Sequence, residues 1–190
     1  MTIHRLKLKD LDEKFIRELQ SEHQSEDVEI VIHVHTQPKG EILTDNDFWQ
    51  IIDLLNWEKE GDDDAVLEPA VEYLAKQPVG IIYQFYDKLS EKLYLLDTRA
   101  HAENSGDNAY DPDGPFSVDL FLYDRCCVVA NGRNFFEKVL ADPTLMPKDL
   151  SFEALLYIAP EAYERKMDRP MEEYLPSYNY ETFSNADGWR

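Results

Sequence analysis

The feature that most constrains this chain is a change of hydrophobic period at Gln37-Pro38-Lys39-Gly40. Before it, apolar residues alternate. Thr2 to Lys9 places His4, Leu6 and Leu8 on one face and Ile3, Arg5 and Lys7 on the other, and Val28 to His35 sends Val28, Ile30, Ile32 and Val34 one way. Between them, Asp10 offers an N-cap with Glu13 at the capping-box position, ahead of Leu11, Phe15, Ile16 and Leu19 at helical spacing. After Gly40 the apolar spacing becomes three or four and stays so, which specifies helices packed through one face. The expected fold is therefore α+β and mainly α. A strand–helix–strand appendage is expected over 1–40, a helical domain over 41–168, and an extended aromatic tail over 169–190.

The helical signals come with their own punctuation. Thr44-x-x-Asp47 resembles a capping box ahead of Phe48, Ile51, Ile52 and Leu55, and Gly61 ends that segment. Asp62-Asp63-Asp64 suits the start of the next helix, where negative charge is favoured. Pro69 predicts that its regular hydrogen bonding begins near Glu68, before Ala70, Val71 and Leu74. Pro78 opens the longest helix, running towards Ala102 through Ile82, Phe85, Leu89, Leu93, Leu96 and Ala100. Asn104 to Pro115 is dense in Asn, Asp, Gly and Pro and reads as a loop. Ser117 caps a helix with Phe121, Leu122, Cys126 and Val129; Asn131-Gly132 breaks it before Asn134 to Ala141. A last stretch, FEALLYIAPEAYERK, is expected to kink at Pro160. Beyond Asp168, Tyr174, Tyr178, Tyr180, Phe183 and Trp189 predict a tail that packs its rings on the body.

Three segments, FWQIIDLL, VVANGRNFFEKVLADPTLM and FEALLYIAPEAYE, resemble a bacterial family catalogued as domain of unknown function 4240. The resemblance runs from about Phe48 to Glu164. It implies an α-helical domain and supplies no catalytic residue to carry over.

Charge narrows the functional classes. Nineteen Lys and Arg face 39 Asp and Glu, a formal net charge of −20, and no basic cluster is longer than Arg165-Lys166. Such a field repels phosphate backbones and anionic lipid, so neither nucleic acid nor membrane is an expected partner. A protein partner with a basic surface is compatible with it. No apolar run reaches the length of a membrane span, and the charged MTIHRLKLKDLDEKF lacks the apolar core of a signal peptide, so a cytoplasmic location is expected.

The candidate chemical groups are few. Gly132-Arg133 could present a guanidinium at a helix start, with Arg125 on the preceding helix and His101 nearby in a shared pocket for an anion or small molecule. The competing reading has Arg133 paired to a neighbouring carboxylate. Cys126-Cys127 lies within an apolar helix, where thiols behave as small hydrophobes, and the two are expected to be reduced and buried. His33 and His35 share a strand face at the spacing of a two-ligand arm, but that face also carries Arg5 and Lys7. Asp62-Asp63-Asp64 and Asp111-Pro112-Asp113-Gly114 lack the spacing of a calcium loop. No cofactor or metal is expected. The favoured reading is a non-catalytic protein-binding or regulatory module. The alternative is a small-molecule or anion-binding protein, or an enzyme, with a pocket near Arg125, Arg133 and His101. The unpaired edges of the N-terminal strands add the expectation of a homodimer formed through them.

Overall fold

A computed structural model describes Arg17, Ser21, residues 42–171 and residues 174–190. The chain divides into two compact units, Met1–His35 and Thr36–Arg190. Seven α-helices are described in the second: α1 (Asp45–Ile52), α2 (Asp63–Lys76), α3 (Val79–Leu96), α4 (Arg99–Ala102), α5 (Val118–Ala130), α6 (Arg133–Ala141) and α7 (Ile158–Met167), with short 3-10 turns between them.

The α+β expectation is corrected, because no strand occurs among the described residues and the body is built from helices alone. The expected strand–helix–strand appendage lies on residues outside the described ones, apart from Arg17 and Ser21, which are helical and exposed. The homodimer contact, His4, His33 and His35 also lie outside them. The body closes its own core with helices.

That core forms because each helix has a defined start and one apolar face. Thr44 Oγ1 accepts from the Asp47 amide, and the Asp47 carboxylate accepts from the Thr44 amide, completing the capping box of α1. Asp62 caps α2 through the Ala65 amide. Helix α2 begins at Asp63, five residues before the start expected from Pro69. The cap and the burial of Val66 and Leu67 hold that first turn despite the amide Pro69 lacks. Pro160 produces no kink. It occupies the first turn of α7, where amides have no intrahelical partner, and α7 follows directly on the 3-10 turn Glu153–Tyr157.

Helix α5 is buried from Phe121 to Ala130 except at Tyr123, so it is apolar around most of its circumference, as a central helix must be. The 3-10 turn Glu153–Tyr157, α3 and α6 pack around it, while α7 lies against α2 and α3. Two polar links tie the outer helices. Arg165 donates two hydrogen bonds to the Glu68 carboxylate at 2.7 and 2.8 Å, joining α7 to α2. Lys88 and Lys92 converge on Asp45 at 2.7 and 3.0 Å, joining α3 to α1.

The long helix expected from Pro78 to Ala102 stops at Leu96 and resumes as α4 at Arg99. Thr98 makes the interruption, its hydroxyl capping α4 through the His101 amide. The residue left in the gap, Asp97, is wholly buried.

Candidate functional site

The gap between α3 and α4 opens onto the last residues of the chain. Asp97 accepts from the Phe183 amide at 3.2 Å and the Trp189 indole N–H at 2.9 Å through Oδ1. Through Oδ2 it accepts from the Ser184 hydroxyl at 3.2 Å and the Asn185 amide at 2.9 Å. All four donors belong to the tail. A carboxylate out of water needs this many donors, because each unmet lone pair would carry a desolvation cost.

Arg125, on α5, is the charge that answers Asp97. It is fully buried, and burial pulls its guanidinium below the usual arginine range, with Asp97 the largest opposing influence. Its Nη1 donates to the Leu93 carbonyl at 2.9 Å and the Tyr180 carbonyl at 3.0 Å, and its Nη2 to Thr182 Oγ1 at 3.0 Å. The Phe121 ring lies 4.8 Å from Cζ, a cation–π contact. Arg125 thus bridges α3, α5 and the tail.

The rest of residues 174–190 follows the same surface. The Thr182 hydroxyl donates to the Val118 carbonyl, the Asn185 amide group to the Tyr94 carbonyl, and the Arg99 amide to the Gly188 carbonyl. Gly188 approaches so closely that a Cβ there would lie 2.8 Å from Thr98 Cγ2. Phe183 holds a left-handed backbone, φ 73°, an unfavourable geometry for an aromatic residue that the Asp97 contact to its amide fixes in place. Trp189 closes an aromatic cluster with Phe183, Tyr110, Phe116 and Phe121, at centroid distances between 4.4 and 6.3 Å. Upstream, Tyr174 stacks 4.6 Å from Tyr83 and donates to Asp87, and the Tyr180 and Tyr86 hydroxyls share a hydrogen bond of 2.8 Å.

The other two residues expected at a pocket have different surroundings. His101 is buried, with Nε2 3.1 Å from the Val139 carbonyl and Nδ1 2.7 Å from the Thr98 hydroxyl. The carbonyl can only accept, so Nε2 carries the proton and Nδ1 accepts from Thr98. Burial lowers its pKa, keeping the ring neutral and locking α4 to α6. Arg133 is exposed; its Nε donates to Glu137 at 2.6 Å and its Nη1 to Asn46 at 2.9 Å, joining α6 to α1. The three side chains share no hydrogen-bond partner. Each bonds to a different set of neighbours within the chain.

Both thiols are free and buried. Burial raises both, Cys126 the more completely enclosed, so neither has the character of a nucleophile. No group of three or more His, Cys, Asp or Glu among the described residues is placed to hold a metal ion. No described helix is long and apolar enough to cross a membrane.

One further acid stands apart. Asp124, buried on α5, has its carboxyl pushed up to about 7, chiefly by burial and further by the nearby Asp149, while a hydrogen bond from Ser105 opposes the shift. Neither Asp97 nor Asp124 is distinguishable in the sequence from the other acids. Only the aromatic spacing of the tail signals that residues beyond 168 matter to the body.

A helical body of this kind, without strands among the described residues, defines a class by its fold. Residues 43–165 match the family described as protein of unknown function (DUF4240), and the chain belongs to that family. Comparison with curated proteins and with solved structures finds no match.

Proposed function

We propose that this protein is a non-catalytic binding module whose acidic surface engages a protein with a basic face. The observation that carries the reading is how the cations are used. Lys76, Lys88, Lys92, Arg99, Arg133, Arg165 and Arg190 are each paired with a carboxylate of the same chain, and Arg125 is buried. The chain carries a formal net charge of −20, the exposed cations named above are each matched by an acid of the same chain, and a long-range field of that sign steers basic surfaces. The polar side chains of the interior support a non-catalytic role, since every buried side-chain nitrogen and oxygen among the described residues has a hydrogen-bond partner.

Affinity capture on the full chain at low ionic strength tests this, followed by elution with rising salt. The expected result is a saturable basic partner that raised salt releases. Retention of no protein at low salt overturns the reading, as does retention that salt leaves unchanged.

A further inference from the structure

Exposed aromatic residues are ordinary when scattered and informative when gathered beside a charge. Trp57, which begins the 3-10 turn Trp57–Lys59, is 43% exposed and lies against Phe152 with ring centroids 5.1 Å apart. The Phe152 amide donates to the Tyr123 carbonyl at 3.0 Å, tying the start of the turn Glu153–Tyr157 to α5. The Tyr157 hydroxyl, on a ring that is 46% exposed, donates to the Glu153 carboxylate at 2.7 Å. Tyr123 faces the same carboxylate: burial, and then the charge of Glu153, raise its phenol. Leu120, one turn earlier on α5, adds exposed apolar surface.

Glu153 is exposed and takes part in none of the ion pairs found among the described residues. Glu68, Glu103 and Glu137 differ, since each holds an arginine of this chain. A carboxylate positioned by Tyr157 and bordered by rings suits arginine. Its planar fork bonds a carboxylate in two places and its flat cationic face stacks on aromatic rings, whereas lysine brings a hydrated point charge.

We propose that Trp57, Phe152, Glu153, Tyr157 and Tyr123 form the docking point for an arginine side chain of a protein partner. The guanidinium pairs with Glu153 and the side chain covers the rings. Charge selects this occupant. The carboxylate has no cation from its own chain, Asp119 adds negative charge beside Tyr123, and the chain as a whole stands at −20. That partner is the basic protein of the preceding proposal, on which the assignment rests; what is new is where it is held and by which side chain. Aromatic rings around a buried arginine are the composition of a binding hot spot.

The test uses the full chain labelled with nitrogen-15, titrated at low ionic strength with a hexaarginine peptide and separately with hexalysine of equal charge. The indole N–H signals of Trp49, Trp57 and Trp189 are followed, Trp49 being buried and Trp189 bonded to Asp97. The expected result is a saturable shift at Trp57 alone, with hexaarginine bound at least about tenfold tighter than hexalysine. Glu153→Gln, at an exposed position, should weaken hexaarginine about tenfold. Asp113→Asn removes the same charge from the exposed loop before α5 and should change it by less than about twofold. Equal binding of the two peptides overturns the proposal, as does a Glu153→Gln chain that binds hexaarginine like the parent. In both cases the peptides still bind, so the acidic-surface reading stands and only this site falls. Self-association of the free chain that Glu153→Gln abolishes also overturns it, by making a second copy the occupant. Failure of both peptides to bind at low salt removes the site and the acidic-surface reading together.

Discussion

The indole N–H of Trp189 donates to the carboxylate of Asp97 across 92 positions of chain, at 2.9 Å, and the carboxylate that receives it is wholly buried. This bond makes the end of the sequence part of the core. Asp97→Ala removes the acceptor of four donors at once and leaves Arg125 without its answering charge. The cost should be about 3–5 kcal/mol, the range for breaking a buried charged network. Trp189→Phe keeps the ring in its aromatic cluster and removes only one donor, so about 1 kcal/mol is expected. Urea unfolding of both variants checks the pair. Equal losses would show that ring packing, not the carboxylate, holds the tail.

Arg125 and Arg133 make the matching contrast for guanidinium groups. Arg133→Ala loses an exposed pair with Glu137 and a bond to Asn46, and should shift stability by less than about 1 kcal/mol. Arg125→Ala leaves the Leu93 and Tyr180 carbonyls without a donor, opens a cavity beside Phe121 and strands Asp97, for roughly 3 kcal/mol or more. Chemical denaturation at one pH compares them directly, and a larger loss at Arg133 would reverse the assignment of roles.

Asp124 gives the fold a pH dependence of defined sign. Its carboxyl titrates near 3.8 when unfolded and at about 7 when buried in α5. Between those values the unfolded chain has released this proton and the folded chain has kept it, so this group makes stability fall as pH rises from about 4 to 7, and level off above. Asp124→Asn keeps the size and loses the charge. It should be more stable than the parent at pH 8, by an amount on the order of a few kcal/mol, with the gap closing towards pH 4. A constant difference across that window would place the titration elsewhere.

Much of the fold was legible because helices announce themselves locally. Thr44, Asp62 and Ser117 cap where their positions suggested, and Phe48, Leu74, Phe85 and Phe121 are core residues as their spacing implied. What was not legible is long-range. Nothing in the run Leu-Leu-Asp-Thr-Arg-Ala-His-Ala shows that Asp97 leaves the helix to meet residues near position 185, since that depends on partners almost a hundred positions away. Pro69 and Pro160 misled for a related reason: local rules price the missing amide, whereas capping and burial decide whether the turn forms. The α+β expectation is corrected by a described body without strands, while the alternation it rested on lies outside the described residues.

The adjacent thiols should be chemically silent in the native protein. Cys126 is enclosed on all sides and Cys127 is 8% exposed, and both are held in the thiol form by burial. A maleimide reagent should label neither within the time that labels both in urea, because the thiolate is the reactive form. Rapid labelling of the folded chain would mean that α5 opens far more readily than a central helix should.

His101 carries the opposite pH sign to Asp124, and the two should be separated before either is read. Its ring is neutral in the fold, donating to Val139 and accepting from Thr98, and burial keeps its pKa below the ordinary 6.5. Below pH 6.5 the unfolded chain takes up a proton that the folded one refuses. This group therefore contributes stability that is present above that pH and lost as pH falls towards the lowered value. In the parent protein the rising contribution of His101 overlaps the falling one of Asp124, and their sum can look flat. The informative measurement is made in the Asp124→Asn background. There, stability should increase with pH and reach a plateau once 6.5 is passed. Adding His101→Gln should remove that portion of the slope while costing about 1–2 kcal/mol above pH 7, since the amide keeps a donor for Val139 and loses the acceptor for Thr98. If the slope persists in the double variant, the proton uptake belongs to another group, and the histidine is a spacer between α4 and α6 and no more.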